Sequence, residues 1–238
     1  MKGSFIYFLL VLFFIPGCQD DPAPANELRQ PNDLAKKTND SLLLDIKKTI
    51  QTGDLLLRTG TDFSSDQIKD LCKTDKTYSH GGIAVSGNDS IYIYSIEPDY
   101  YNINNTVRKE SIDSFCNAAK NDGIGIARYN LSDNEKKGFI AYLEEQYQKK
   151  ISFDMLFSLE TDNKMYCSEM IKKGLARATN NRVVIKTDKL DDRSKYRIIK
   201  RYFKVDEKRF ANMQVVMVDQ LFLNPNCQFI KKYLFTGR

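Results

Sequence analysis

The only histidine of the chain is the residue best suited to act as a base near neutral pH. Two glycines, Gly81 and Gly82, follow His80, and an apolar run that predicts a strand comes next. Glycine lets backbone or substrate approach the ring closely, and a neutral imidazole accepts protons near pH 7. His80 is therefore a candidate general base, although a single histidine at the start of a strand is also compatible with a structural role.

One of the five cysteines, Cys167, lies near the start of a helix predicted over residues 166–178. The positive end of the helix dipole favours the thiolate, which is the nucleophilic form, and a nearby imidazolium would favour it further. Cys167 is therefore a candidate nucleophile. A cysteine on a helix is also compatible with a small buried apolar side chain.

The two segments together resemble a known family. Residues 79–85 (Ser-His-Gly-Gly-Ile-Ala-Val), followed later by residues 166–169 (Tyr-Cys-Ser-Glu), resemble the circularly permuted NlpC-type branch of papain-like cysteine amidases, in which the histidine precedes the cysteine. Residues 52–56 and 153–154 match as well. The chain is most similar to the YiiX-like lipoproteins and hydrolases of that branch, over about residues 50–200.

The resemblance implies a fold and a mechanism. It implies an α+β domain, a permuted papain-like fold with an antiparallel sheet or half-barrel packed against helices. It also implies that His80 deprotonates Cys167 and that the thiolate attacks an amide or ester carbonyl to form a thioester. The backbone N–H of Cys167 would then stabilise the oxyanion. We expect no cofactor for this chemistry.

The third position of the family, a polar residue that orients the imidazole, is ambiguous here. It falls on the strand after the histidine strand and corresponds to Glu97, Ser95 or Tyr94, depending on the alignment. We favour Glu97, because a carboxylate fixes the tautomer and stabilises imidazolium. Glu97 is also compatible with a solvated charge at a strand end, which leaves open a slow enzyme or a binding module that has kept only the fold.

Other polar and aromatic residues near these segments have weaker assignments. Tyr78 and Tyr166 flank the proposed pair and are candidates to line a substrate cleft, with core packing as the alternative. For Asp54 and Glu169 we expect structural hydrogen bonds. No paired cysteine or histidine suggests zinc, so we expect no metal. The remaining thiols, Cys72, Cys116 and Cys227, are expected to be buried or incidental, although an exported protein could pair cysteines.

The elements that must position these residues are short strands interrupted by helices, which predicts an α+β domain. We predict strands over 55–57, 82–86, 90–96, 123–129, 197–203 and 214–218, with the second and third forming a hairpin. We predict helices capped by Ser64 and by Ser132, as well as the helix over 166–178. Residues 220–227 are predicted to form a surface turn.

The N-terminus predicts export. Lys2 and an apolar run over 5–15 are typical of a signal peptide over 1–17, because the run is too short to span a membrane. Ile-Pro-Gly-Cys resembles a bacterial lipobox, which makes Cys18 the lipidated residue; ordinary cleavage beside an incidental cysteine is the alternative. We predict a tether over 18–45 and one domain over 46–238. The pair Asp20-Asp21 resembles a surface-export signal or is a solvated linker.

The composition of the 238-residue chain suits one sizeable core and a mixed surface. Basic residues number 36 and acidic residues 31, for a net charge of +5. The sequence contains no basic stripe interleaved with aromatic residues, so we do not expect nucleic-acid binding. The expected partners are a membrane, through the lipid anchor, and a peptide or peptidoglycan substrate in the bacterial envelope. An acyl lipid is the alternative substrate, because relatives of lecithin retinol acyltransferase use the same chemistry.

Overall fold

The computed structural model describes residues 33–87, 90–98, 105–190, 196, 200 and 205–237. The helices are α1 (Asp33–Thr49), α2 (Phe63–Leu71), α3 (Ile112–Phe115), α4 (Asp133–Gln148), α5 (Cys167–Ala178), α6 (Glu207–Phe210) and α7 (Val218–Phe222). The strands are β1 (Leu55–Gly60), β2 (His80–Ser86), β3 (Ile91–Ser95), β4 (Arg108–Ser111), β5 (Asn121–Tyr129), β6 (Ser152–Phe153), β7 (Lys164–Met165), β8 (Asp188–Lys189), β9 (Gln214–Val215) and β10 (Cys227–Leu234).

A six-stranded antiparallel sheet, in the order β10-β5-β1-β2-β3-β4, forms the centre of the domain. Its register places Arg58 of β1 opposite His80 of β2. In the β2–β3 hairpin Ile83 pairs with Tyr94, and the same register continued past the end of β3 places Glu97 opposite His80. Side chains opposite each other in an antiparallel pair lie on the same face of the sheet.

Both faces of this sheet are covered, because successive side chains of a strand point to opposite sides. Leu55 and Leu57 face a core that includes Phe139 of α4 and Ile171 of α5. Leu56 faces a second, smaller core. That core also contains Ile46 of α1, Ile112 and Phe115 of α3, and Ala84 and Ile93 of the hairpin. The predicted α+β domain, with an antiparallel sheet packed against helices, is confirmed.

Local sequence signals account for the helix starts, with one correction. Helix α4 begins with the predicted capping box, in which the Ser132 hydroxyl accepts the Glu135 N–H and the Glu135 carboxylate accepts the Ser132 N–H. Helix α2 is capped by Asp62 rather than by Ser64, because the Asp62 carboxylate accepts the Ser65 N–H at 3.0 Å. The prediction placed this cap two residues too late.

The structure corrects the prediction at both ends of the domain. Helix α1 begins at Asp33, so the tether predicted over 18–45 does not extend past that residue. The strand predicted over 214–218 is only β9, and α7 begins at Val218. Residues 220–227 are not a surface turn throughout, because Leu221 and Phe222 are buried in α7. The strand predicted over 197–203 lies outside the described residues, apart from Lys200, which is helical.

The signal peptide over 1–17, the lipidated Cys18 and the Asp20-Asp21 pair all lie outside the described residues. Among the helices that are described, none combines the length and the apolar character needed to cross a bilayer.

Candidate active site

His80 begins β2 with its side chain buried, 6% exposed. Its ring packs beside Phe115, with 5.9 Å between ring centres. Gly82 makes the local packing possible, because a Cβ there would come within 2.5 Å of the Ile93 side chain and 3.0 Å of the Tyr94 carbonyl oxygen. The second glycine of the motif therefore serves the close approach of β3 and α3 rather than the approach of a substrate.

Cys167 is the first residue of α5 and is also buried. Its helix is fixed at this end by the Glu169 carboxylate, which accepts the Tyr166 N–H at 3.3 Å, and by the Ser168 hydroxyl, which donates to the Val216 carbonyl at 2.6 Å. The first contact fixes the first turn of α5, and the second attaches that turn to the segment that contains Val216.

The surroundings of the Cys167 thiol act on it in opposite directions. Burial raises the pKa of Cys167, while hydrogen bonding from the backbone of Gly81 and from Ser168 lowers it. The positive charge of Arg58 also lowers this pKa. Gly81 directly follows His80, so the structure brings the two predicted residues to neighbouring positions, where α5 begins against β2.

Glu97 is the third-position candidate that the structure places beside His80. One carboxylate oxygen of Glu97, Oε2, lies 4.0 Å from Nε2 of His80, which is an ion-pair distance but too long for a hydrogen bond. Glu97 is not a solvated charge, because Arg58 and Arg108 both form ion pairs with it. Within the described part of the chain, Nε2 of His80 has no hydrogen-bond partner.

The alternative residues for the third position have other partners. Tyr94 donates its hydroxyl to Glu144 of α4, and its side chain belongs to the core on the other face of the sheet. Ser95 is fully buried, and its hydroxyl donates to Glu110 at 3.1 Å. Neither contact orients the imidazole.

The electrostatic environment keeps the imidazole neutral. Burial lowers the pKa of His80 well below its usual value, and the positive charges of Arg58 and Arg108 lower it further. A neutral imidazole at neutral pH is the form that accepts a proton. The resting site therefore holds a neutral imidazole at His80, and the Cys167 thiol lies by the backbone of the next residue, Gly81.

Sequence reasoning missed Arg58 and Arg108. Arg58 is almost enclosed, with 13% of its side chain exposed, and its guanidinium lies 5.0 Å from the centre of the Phe115 ring. Its importance depends on the β1–β2 register, which pairs it with His80. A basic residue near the end of a strand does not by itself indicate which residue of the neighbouring strand it pairs with.

The two tyrosines predicted to line a cleft are core residues instead. Tyr78 is 2% exposed and packs against Phe222 and Phe229. Tyr166 is 3% exposed, and its hydroxyl oxygen accepts the Val216 N–H at 2.8 Å. Burial leaves neither side chain with a surface to offer a substrate, so the packing alternative replaces the cleft assignment.

The other predicted polar contacts are structural. Asp54 accepts two hydrogen bonds from Arg128, and Glu169 lies 2.8 Å from the Lys173 ammonium. Among the described residues, Cys72, Cys116, Cys167 and Cys227 are all free thiols. Burial raises the pKa of Cys72 and of Cys227 to about 12, although backbone hydrogen bonds lower both, and it raises that of Cys116 further still.

Comparisons with known proteins identify a family and a similar fold. The model of the family described as permuted papain-like amidase enzyme, YaeF/YiiX, C92 family, matches residues 49–230. The crystal structure of the metalloprotein YiiX from Escherichia coli O157:H7 is similar to the chain, with a TM-score of 0.60, 21% sequence identity, and coverage of 78% of this chain and 99% of that one. That likeness is one of fold. A search of curated protein sequences finds no match.

Proposed function

The chain belongs to the permuted papain-like amidase family, and on that premise we propose that Cys167 and His80 are the nucleophile and the general base of a cysteine hydrolase that cleaves amide bonds. The observation that carries the proposal is the position of the thiol. It lies at the start of α5, close enough to the backbone of Gly81, the residue next to the only histidine, for that backbone to lower the pKa of the thiol.

The proposed reaction begins with proton transfer from Cys167 to His80. Because Nε2 of His80 faces Glu97, we assign the other ring nitrogen, Nδ1, to this exchange. The thiolate attacks the amide carbonyl, and the backbone N–H of Cys167 at the helix start donates to the oxyanion. The imidazolium returns its proton to the leaving amine, and a thioester remains.

The second half of the reaction releases the acyl group. His80, again neutral, takes a proton from water as the water attacks the thioester carbonyl. The tetrahedral intermediate collapses, and the Cys167 thiolate leaves and recovers the proton from His80. Each step uses one base and one nucleophile, so Glu97 has only to orient and stabilise the imidazolium.

We propose that the substrate is a peptide, with the peptidoglycan stem as the first candidate. This rests on the export signals predicted from the sequence, a signal peptide over 1–17 and a lipid on Cys18, which would hold the enzyme at the bacterial envelope. If Asp20-Asp21 directs the protein to the outer surface, foreign peptides or lipids become the nearest substrates.

The related YiiX structure is described as that of a metalloprotein. In residues 33–87, 90–98, 105–190 and 205–237 of this chain, no three His, Cys, Asp or Glu side chains come together as a metal site would require. No step of the proposed mechanism passes through a metal.

The pH dependence of alkylation at each cysteine tests the assignment of Cys167 and His80. Near neutral pH we expect Cys167 to react faster than Cys72, Cys116 and Cys227, which serve as internal controls in the same molecule. His80→Ala should slow the labelling of Cys167 by roughly a hundredfold, the lower edge of what a positioned base contributes. Peptide mass spectrometry resolves the four sites.

Labelling of Cys167 at the rate of an ordinary thiol, unchanged by His80→Ala, would refute the enzyme assignment and favour a binding module. If labelling behaves as expected, hydrolysis of peptidoglycan fragments, peptides and acyl esters should be compared, with Cys167→Ala as the inactive control. Cleavage of esters alone would replace the amide assignment with a lipid-directed one.

A further inference from the structure

The two oxygens of the Glu97 carboxylate have different partners. Arg58 forms its ion pair with Oε2, and Arg108 donates from Nη1 to Oε1 at 2.9 Å. Oε2 is also the oxygen that faces Nε2 of His80 at 4.0 Å. Arg58 therefore binds the same carboxylate oxygen that faces the imidazole, and that oxygen lies beyond hydrogen-bond distance of Nε2.

The strand register explains why Arg58 has this position. Arg58 lies opposite His80 on β1, and its guanidinium and the His80 ring pack on the same Phe115 ring. The fork of a guanidinium binds a carboxylate through charge-assisted hydrogen bonds, which are stronger than those from a neutral imidazole. In this competition Arg58 holds Glu97, and Nε2 of His80 is left without a partner among the described residues.

The charged groups around His80 come from several elements. They are Arg58 on β1, Glu97 after β3, Arg108 and Glu110 on β4, and the Cys167 thiol on α5. Glu110 acts on the charge of Arg58 and binds Ser95 and Ser114, so its carboxylate is engaged on the β4 side. Among the described residues, only Glu97 has a carboxylate oxygen within 4.0 Å of Nε2.

We propose that Arg58 is a positioning residue that holds the Glu97 carboxylate out of hydrogen-bond contact with His80. While the Arg58–Glu97 ion pair is closed, His80 is a neutral base with Nε2 unpaired. When the ion pair opens, Oε2 accepts a hydrogen bond from the N–H at Nε2. This bond orients the ring and gives the imidazolium a counter-ion. The proposal rests on the proposed function, since it regulates the base assigned there.

A titration of the single histidine by NMR tests this proposal without any turnover. The ring C–H signals of His80 can be followed against pH in the wild type, in Arg58→Met and in the matched control Arg108→Met, each of which removes one guanidinium from Glu97. We expect the midpoint to rise by about one pH unit or more in Arg58→Met, because a carboxylate then pairs with the imidazolium. Arg108→Met frees Oε1 instead, so the His80 midpoint in that variant should rise by less than half as much as in Arg58→Met.

Glu97→Gln in the Arg58→Met background separates positioning from simple charge. If Arg58 acts by holding Glu97, the added Glu97→Gln change should remove most of the upward shift. Equal shifts in Arg58→Met and Arg108→Met, or a shift that survives Glu97→Gln, would overturn the proposal and leave Arg58 as a distant charge. Arg58→Lys, which keeps a cation without the fork, should give an intermediate midpoint and serves as the test if Arg58→Met does not fold.

The titration and the alkylation test distinguish failure of the positioning role of Arg58 from failure of the proposed function. Cys167 labelling that ignores His80 would refute the proposed function while the His80 midpoints still report whether Arg58 holds Glu97. Conversely, His80-dependent labelling of Cys167 with unchanged midpoints in Arg58→Met would refute the positioning role alone.

Discussion

Gly174 of α5 lies directly against the ring of Phe139 in α4. A Cβ at Gly174 would come within 2.5 Å of that ring and 2.8 Å of the Tyr142 ring. Gly174→Ala should therefore destabilise the domain by about 1–3 kcal/mol, because the two helices must separate or distort to admit a methyl group. The free energy of unfolding by denaturant measures the effect.

Gly138→Ala is the matched control for this substitution. Gly138 is also a helical glycine, but it is exposed, and a Cβ there would meet nothing closer than 3.8 Å. We expect this change to stabilise the protein by roughly 0.5–1 kcal/mol, as alanine does in a helix interior. Stabilisation of equal size at both positions would show that helix propensity, rather than the α4–α5 contact, controls the result.

The hydroxyl groups of Tyr78 and Tyr166 predict opposite results for the same substitution. The Tyr78 hydroxyl is buried without a hydrogen-bond partner among the described residues, whereas that of Tyr166 accepts the Val216 N–H. Tyr78→Phe should leave stability unchanged or slightly raised, and Tyr166→Phe should cost about 1–3 kcal/mol because it leaves a buried N–H unpaired. Thermal and denaturant unfolding of both variants gives the comparison, and a loss in Tyr78→Phe as large as in Tyr166→Phe would contradict it.

Asp54 and Arg128 join the loop before β1 to β5 by an ion pair whose carboxylate is buried. The Asp54 carboxylate is 1% exposed, accepts two hydrogen bonds from Arg128 at 2.6 and 2.7 Å, and also accepts the Gln51 N–H at 2.8 Å. Asp54→Ala should cost about 3 kcal/mol, since it leaves a cation and an N–H without their acceptor.

The exposed ion pair between Lys231 and Asp45 provides the comparison for Asp54. Half of the Lys231 side chain is exposed, so Lys231→Met should cost less than about 1 kcal/mol. Urea unfolding curves of the two variants test the contrast. Equal losses would mean that burial of the Asp54 pair contributes nothing beyond the attraction of two charges.

Glu169 predicts a pH dependence of stability. Burial raises the pKa of Glu169 to about 7 from its ordinary value of 4.5, although Lys173 lowers it. A carboxyl whose pKa is higher in the folded state binds its proton more tightly there, so stability falls as the pH rises from about 4.5 to about 7 and stays at the lower level above that. The full loss is roughly 3 kcal/mol.

Glu169→Gln should remove this slope, because a neutral amide pays no cost of ionisation in the buried site. Unfolding free energies at pH 5 and pH 8 in the wild type and in Glu169→Gln are the measurement. Glu160→Gln, which alters an exposed carboxyl, should keep the wild-type profile. A slope that survives in Glu169→Gln would assign the pH dependence to another group.

The sequence predicted the elements whose signals are local. The α4 cap, the β2–β3 hairpin and the strand over β5 follow from residues close together in the chain. Helix α1 was missed because few apolar residues mark its buried side, on which only Ala35, Asn39 and Ile46 are buried. Strand β10 was missed because it is an edge strand with most of its side chains at least partly exposed.

The residues of the site likewise divide into those that residue type and order predict and those that depend on strand register. His80 and Cys167 could be found from residue type and order, because few side chains can act as base or nucleophile. The neighbour of His80 could not be chosen among Tyr94, Ser95 and Glu97 until the hairpin register was known. Arg58 depends on a second register, between β1 and β2, and on which of two carboxylate oxygens it reaches. These are properties of three-dimensional pairing that no local pattern carries.

The contact between α1 and β10 sets the order of events during synthesis of the chain. The Asn39 side chain donates to the Thr236 carbonyl and accepts the Thr236 N–H, both at 3.0 Å, and Asp45 of α1 binds Lys231 and Tyr233 of β10. These particular contacts of α1 can therefore form only after β10 has left the ribosome. Until then β5 is an open sheet edge, so a stalled or shortened nascent chain exposes the surface most prone to pair with another copy.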